Sequence, residues 1–300
     1  MDKLRVSIGV CAYQEEKNIA RLLEALRSQR TQRIEISQII VVSSACQDRT
    51  DELVSLAREA DARVQLIQQP QRCGKASAVN LFLGAAIAEI CALEGADTIP
   101  HPEALERLCA PFFQSPRCGM TGGHPVPVDD PTTFLGFAVH LVWRLHHKVA
   151  CIQPKLGEMV AFRNIIEQLP EDGSADEGRL EQMVLALGYE TQYAPEAYVY
   201  NKGPGTLGDF LRQRRRIYNR LLCLKKTTGY QVSTLKKGRV LRLLLRELRA
   251  SPKLLAWTVG AVGLELLARL LGSYDFHICK KNPNMWAMAS TTKALVEVGR

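Results

Sequence analysis

The nine cysteines of this 300-residue chain include no C-x-x-C pair, and their number is odd. Residues Met1 to Val10 lack the long apolar run of a secretory leader, so free thiols in a reducing cytoplasm are expected. A membrane span is not expected either. The uncharged apolar run Leu254 to Leu264 has eleven residues and is closed by Glu265 and Arg269, whereas a spanning helix needs about 20. There is no internal repeat and no low-complexity tract. Acidic residues are nearly missing from one stretch: between Arg212 and Lys253, fourteen lysines and arginines face Glu247 alone. The net charge of +8 is therefore local, and it predicts an anionic surface as partner, phospholipid or nucleic acid. Aromatics are sparse there too. Only Tyr218 and Tyr230 interleave with the cations, too few for the base-stacking of a nucleic-acid groove.

What is present is a folded composition, with 46% hydrophobic and 23% charged residues. Arg5 to Ala12 predicts a strand, Glu15 to Gln29 an amphipathic helix, Ile34 to Val42 a strand, and Asp51 to Ala60 a helix. Val64 to Ile67 follows as a strand, Lys75 to Ile90 as a small-residue helix, and the stretch after Ile90 as a fourth strand. Such alternation implies an α/β fold with a mostly parallel sheet and helices on both faces. Ligands of these sheets bind beyond the carboxyl ends of the strands. Past Pro100 the pattern loosens into longer helices and Gly/Pro-rich loops, Gly119 to Pro131 and Asn201 to Gly208 among them.

Five segments carry candidate chemistry. Ser43 to Thr50 offers hydroxyls and Asp48 before a helix, suited to a nucleotide or to plain capping. Arg72-Cys73-Gly74-Lys75 opens a helix with two cations about a glycine, a phosphate-binding arrangement. An ATPase P-loop is excluded, because Gln69 and Ala76 stand where its first glycine and its metal-binding hydroxyl belong. Glu94-Gly95-Ala96-Asp97 is an acidic turn able to hold a divalent cation on a diphosphate, or merely to cap the next helix. Asp176-Glu177 compensates a helix dipole or serves as general base. Gln213-Arg214-Arg215-Arg216 is a solvated helix face or a guanidinium clamp for phosphate. Two weaker features remain. His140, Arg144 and His147 share a helix face, a possible metal geometry. From Arg239 to Arg249, leucines on one face alternate with arginines, an interfacial-helix pattern.

In order, Ala12-Tyr13-Gln14-Glu15-Glu16, Val41 to Thr50, Gly74-Lys75 with Asn80, Gly95 to Pro100, Asp176-Glu177, Gly188-Tyr189, Ala194 to Ala197 and Gln213 to Ile217 resemble family 2 glycosyltransferases. The resemblance spans residues 5 to 220 and implies the GT-A fold, a nucleotide-diphospho-sugar transferase, over 1–220. A basic, amphipathic helical region would occupy 221–300. By resemblance Ala12, Tyr13, Glu15, Ser44 and Asp48 contact the nucleotide, and Arg72 and Lys75 the donor. Asp97, with Glu94, would hold Mg²⁺ or Mn²⁺; Gln213 and Arg216 match the Gln-x-x-Arg-Trp signature, with Ile217 replacing its aromatic. Glu177 and Asp176 fall at the catalytic-base pair, their order swapped. The family's Asp-Asp is Ser43-Ser44 here, and Gly95 replaces the first acid of its Asp-x-Asp. The implied reaction is inverting hexosyl transfer from a UDP- or GDP-sugar to a hydroxyl or lipid-linked acceptor, on the inner face of a membrane and without nucleic acid. The rivals are a non-catalytic GT-A-like protein and a nucleotidyltransferase. The latter lacks support, because Cys11 to Glu16 is not a glycine-rich loop.

Overall fold

In the computed structural model, residues 3–172, 176–233, 237–248 and 251–280 are described. Strands β1 (Leu4–Ala12), β2 (Ile34–Ser44), β3 (Val64–Gln69) and β4 (Ile90–Gly95) form one side of the sheet. The other side contains β5 (Thr98–Pro100), β6 (Cys118–Pro127), β7 (Val160–Arg163) and β8 (Glu190–Asn201). The eight strands run β3-β2-β1-β4-β7-β6-β8-β5. The first four pair in parallel, as does β6 with β8, while β7 and β5 pair antiparallel.

Helix α1 (Ile19–Arg27) buries Ile19, Leu22, Leu23 and Leu26 in one apolar stripe. With α2 (Thr50–Ala60) and α4 (Ala104–Gln114) it covers one face of the sheet. On the opposite face lie α3 (Lys75–Ala85) and α6 (Asp176–Ala186). Phe82 of α3 packs so closely that a Cβ on Gly9 would lie 2.6 Å from its ring. The register sets Ala12 beside Ser43, Cys11 beside Gly95, and Ser44 beside Gln69. Four strand ends thus share one edge.

Two of the three predicted helices of the first half, the first and the third, are shorter than expected. The chain turns at Gln14 with φ +56 before α1, and α3 ends at Ala85 because Ala86 is already extended. The expected loop over Gly119 to Pro131 is instead largely the buried strand β6. Its glycines hid it: a Cβ on Gly119 or Gly122 would strike Tyr189 or Leu156 at 2.4 and 2.6 Å, so tight packing here requires the absence of the side chains that signal a strand.

Helix α5 (Phe134–Ile152) leads toward a helical layer of α7 (Leu207–Thr228), α8 (Lys237–Glu247) and α9 (Pro252–His277). Because α7 runs through residue 220, the expected division there falls inside a helix. The apolar run at Leu254 also lies in a longer element than its eleven residues suggested. Helix α9 has 26 residues, and its best window has a mean hydropathy of 1.7 with 17% of it buried, enough by length and composition to cross a membrane. Its flank contradicts a simple span. Glu265 binds Arg214 of α7 at 2.7 Å, and the fully buried Asp275 pairs with Arg215.

Candidate active site

A cleft of about 550 Å³ opens at the carboxyl edge of the first four strands and extends between α5, α7, α8 and α9. This is an ordinary size for a ligand site. Asp97, Lys75 and Arg216, separated by up to 141 positions, all line it, together with Ala12, Tyr13, Ser44, Arg72, Gln213 and Glu177. Each has a local reason to be there. Gly74 has φ +94, a value that favours glycine, and it turns the chain so that α3 begins with Lys75 at the cleft. Arg72 lays its guanidinium over the Tyr13 ring at 4.2 Å, joining the loops after β3 and β1. Asp97 occupies the turn between β4 and β5. A Cβ on Gly95 would lie 3.2 Å from Asp97 Oδ1, so the replacement of the first acid leaves room for the second.

Three expected contacts are not in the cleft. The Asp48 carboxylate accepts from the Glu16 amide at 3.0 Å and the Thr50 amide at 3.1 Å, which caps α2 and pins the neighbouring loop. Glu15 is buried, accepts from Asn18 Nδ2 at 3.1 Å, and starts the turn into α1. Glu94 is also buried and accepts from the Thr98 hydroxyl. Burial, opposed by that bond, pushes its carboxyl up to about 8. Its carboxylate is engaged by Thr98 and lies outside the cleft lining.

The acidic pair on α6 is engaged as well. Lys75 Nζ donates to Glu177 at 2.5 Å, and Arg220 to Asp176 at 2.7 Å. Burial would raise the Glu177 carboxyl, yet the Lys75 ammonium and its bond draw it below the usual carboxylate range. Burial opposes the Lys75 charge, and Glu177 and Asp176 outweigh it, so the ammonium is held as well. A carboxylate kept ionised this firmly takes protons weakly. Both acids of the pair thus have a cationic partner, Glu177 at the cleft and Asp176 beneath it.

Sequence reasoning missed two residues at the cleft, Glu158 and Lys155. Both lie between α5 and β7. The signal was a carboxylate just ahead of the apolar strand Val160-Ala161-Phe162, where Glu94 had drawn notice at the far end of one. Burial first, then Asp97 and Glu177, push Glu158 up to about 7. Asp97 and Glu158 are hard oxygen donors lining the same cleft, and a divalent cation would offset their mutual repulsion. Two carboxylates fit a Mg²⁺ or Mn²⁺ ion that takes its remaining oxygens from a diphosphate.

The His140, Arg144 and His147 face does not form a metal site. His140 Nε2 meets the Asp129 carbonyl at 2.8 Å, and His147 stacks on His124 at 4.1 Å between centroids. Among the described residues, no three side chains are grouped as metal ligands.

Residues 7–148 match the model described as glycosyl transferase family 2. The match covers just under half of the chain. Among curated proteins, the chain is 25% identical over 231 residues to "Probable glycosyltransferase YdaM" of Bacillus subtilis, covering 71% of this chain. It spans only 54% of that relative's length. Among solved structures, it is similar to the mannosyltransferase PcManGT of Pyrobaculum calidifontis in complex with GDP-Man and Mn²⁺. The TM-score is 0.59 at 21% identity, over 94% of this chain and 82% of that one. Glucosyl-3-phosphoglycerate synthase of Mycobacterium tuberculosis with Mn²⁺ and UDP gives 0.51 at 15% identity, over 75% and 80%. The family 2 segment carries β1 to β6 and most of α5, and so contains Asp97, Lys75 and Arg72. The likeness in fold agrees with the GT-A architecture.

Proposed function

We propose that this chain transfers a hexosyl group from a UDP- or GDP-sugar with inversion of configuration. The supporting observation is the convergence of Asp97, Lys75 and Arg216 in one cleft. Arg216 makes no ion pair among the described residues, and burial, then Arg220, lower its affinity for its own proton. A half-buried guanidinium without a carboxylate partner favours an anion. The donor diphosphate is the natural one. Tyr13, stacked with Arg72, and Ser44 form the nucleoside end, while Lys75 at the start of α3 reaches the phosphates. Asp97 and Glu158 would hold Mg²⁺ or Mn²⁺, which neutralises charge on a departing nucleoside diphosphate.

The test is a thermal-shift panel of UDP, GDP, CDP and TDP with and without Mn²⁺. One nucleotide is expected to stabilise the protein in a metal-dependent manner, and Asp97→Ala to remove the shift. If no nucleotide stabilises the wild type, the transferase reading is lost.

The reading includes a peripheral position on the cytoplasmic face of an anionic membrane. Outward on α9, Leu255, Val259, Leu266, Leu270 and Tyr274 recur at helical spacing, with Val259 66% and Leu270 70% exposed. The other flank is tied to the strongly basic α7 by ion pairs. A crossing α9 would drag those arginines into hydrocarbon, so the helix lies in the interface plane. Helix α8 contributes Leu241 and Leu245, both exposed, although Leu243 turns inward. The expected single leucine face is therefore divided. Vesicles containing phosphatidylglycerol should co-sediment the full chain and phosphatidylcholine vesicles should not; Leu266→Glu with Leu270→Glu should abolish the binding.

A further inference from the structure

Among the described residues, two that line the cleft are more than nine-tenths buried and carry a polar side-chain atom with no partner: His146 and Asn201, each 6% exposed. Their surroundings differ. His146 faces the Trp143 ring, 5.2 Å between centroids, and burial, then Lys155, keep its imidazole neutral. It belongs to the helical wall. Asn201 lies at the strand edge. It is the last residue of β8, and the antiparallel register sets it opposite Thr98 of β5, the residue after Asp97. Residues opposed in this way share one face of the sheet, and Asp97, Thr98 and Asn201 all line the cleft.

The backbone around Asn201 is clamped. Its carbonyl accepts from the Val128 amide at 2.9 Å. Two residues on, the Gly203 amide donates to Asp129 Oδ2 at 2.8 Å, and a Cβ on Gly203 would lie 2.5 Å from Val139 of α5. His140 holds the Asp129 carbonyl from the same helix, so the histidine face that forms no metal site supports this segment instead. An amide fixed before the ligand arrives loses little freedom on binding. Its buried Oδ1 has no donor, which is costly. Turned either way, the amide presents an acceptor as well as a donor. The oxygens of an ionised diphosphate only accept and leave the acceptor unmet. A hydroxyl, which both donates and accepts, meets the whole group.

From this we infer that Asn201 is a specificity-determining residue for the transferred sugar: its amide binds a hydroxyl of the hexose carried by the donor. The inference rests on the transferase reading, because it takes the donor diphosphate to lie at Asp97. The hexose is joined to that diphosphate and is brought to the same strand edge. What Asn201 recognises is a neutral, hydroxylated ring, in contrast to the charged groups served by Arg216 and Lys75. A sugar lacking the matching hydroxyl would leave Oδ1 buried and unpaired, a heavier penalty than the loss of one average hydrogen bond.

The experiment uses the full chain with Mn²⁺ and reads affinity by calorimetry. The probes are UDP, GDP, UDP-glucose, UDP-galactose and GDP-mannose, followed by the monodeoxy forms of whichever sugar donor binds best. Asn201→Ala should weaken that donor about tenfold and leave the matching bare diphosphate within about twofold of wild type. Removing one particular hydroxyl from the donor should cost about tenfold on wild type and almost nothing on Asn201→Ala. Equal weakening of the bare diphosphate, or a raised Mn²⁺ requirement, would place Asn201 on the diphosphate or the metal and overturn the assignment; an unchanged donor affinity would overturn it too. If melting shows Asn201→Ala to be misfolded, Asn201→Val, suited to a strand end, replaces it. The monodeoxy series on wild type stands without any variant, since indifference to every hydroxyl removes the assignment. If neither UDP nor GDP binds wild type, the transferase reading fails and this inference falls with it. If one binds and the sugar adds no affinity that depends on Asn201, only the inference falls.

Discussion

The two walls of the cleft are built by different physics. On the sheet side, functional residues sit on turns fixed by parallel registers and a dry core; Phe82, Ile8, Ile39 and Ile90 are fully buried. On the helical side, α7 and α9 meet through charge, with Arg214–Glu265 and Arg215–Asp275 joining elements 51 and 60 residues apart. One wall depends on burial of apolar surface, which is insensitive to pH and salt. The other adds to a small apolar cluster, with Phe210 and Ala261 in it, ion pairs that are sensitive to both.

The sharpest way to break the comparison is on the sheet side. Phe82→Ala should cost about 3–5 kcal/mol in urea unfolding, the usual range for a buried aromatic, and should lose the nucleotide shift through collapse of α3 onto β1. Asp275→Ala is expected to cost somewhat less, about 2–4 kcal/mol, because it strips the partner from the quarter-exposed Arg215. It should be the more salt-dependent of the two. A cost for Asp275→Ala below about 0.5 kcal/mol would mean that the helical wall is not held by charge.

Acid should separate the walls next. Burial raises the Glu265 carboxyl, and Arg214 and Arg269 outweigh burial to hold it at about 2. A depressed carboxylate stabilises the fold fully above its unfolded value, about 4.5. That contribution is lost as pH falls from there toward 2. Wild type should therefore lose stability over this window more steeply than Glu265→Gln; equal slopes would remove Glu265 from the account. Glu94 works in the opposite sense. Its raised value of about 8 means that stability is full below about 4.5 and declines as pH climbs through 8. Glu94→Gln should thus be nearly neutral at pH 4 and relatively stabilising at pH 9. The smallest effect belongs to the outer face of α9. Leu270→Lys should change stability by no more than about 0.5 kcal/mol, as a surface substitution, whatever it does to vesicle binding.

How much of this could be read in the sequence follows the same division. The four parallel strands and their helices were legible because apolar periodicity reports burial. Asp97, Lys75, Arg72 and Arg216 were legible because their motifs keep family spacing. Glu15, Asp48 and Glu94 were misplaced because an acid in a turn has two uses, and only coordinates tell a cap from a ligand. Strand β6 was missed because its close contacts require glycine. Lys155 and His146 carry no motif. Their meaning comes from what surrounds them, and a lone histidine on an apolar helix face ordinarily reads as core.

Glu265 uses its two carboxylate oxygens on two arginines, Arg214 and Arg269, that both line the cleft. Removing this one acid would release a pair of guanidinium groups into the cavity at once. The charge of that wall is therefore set by one acid shared between two cations.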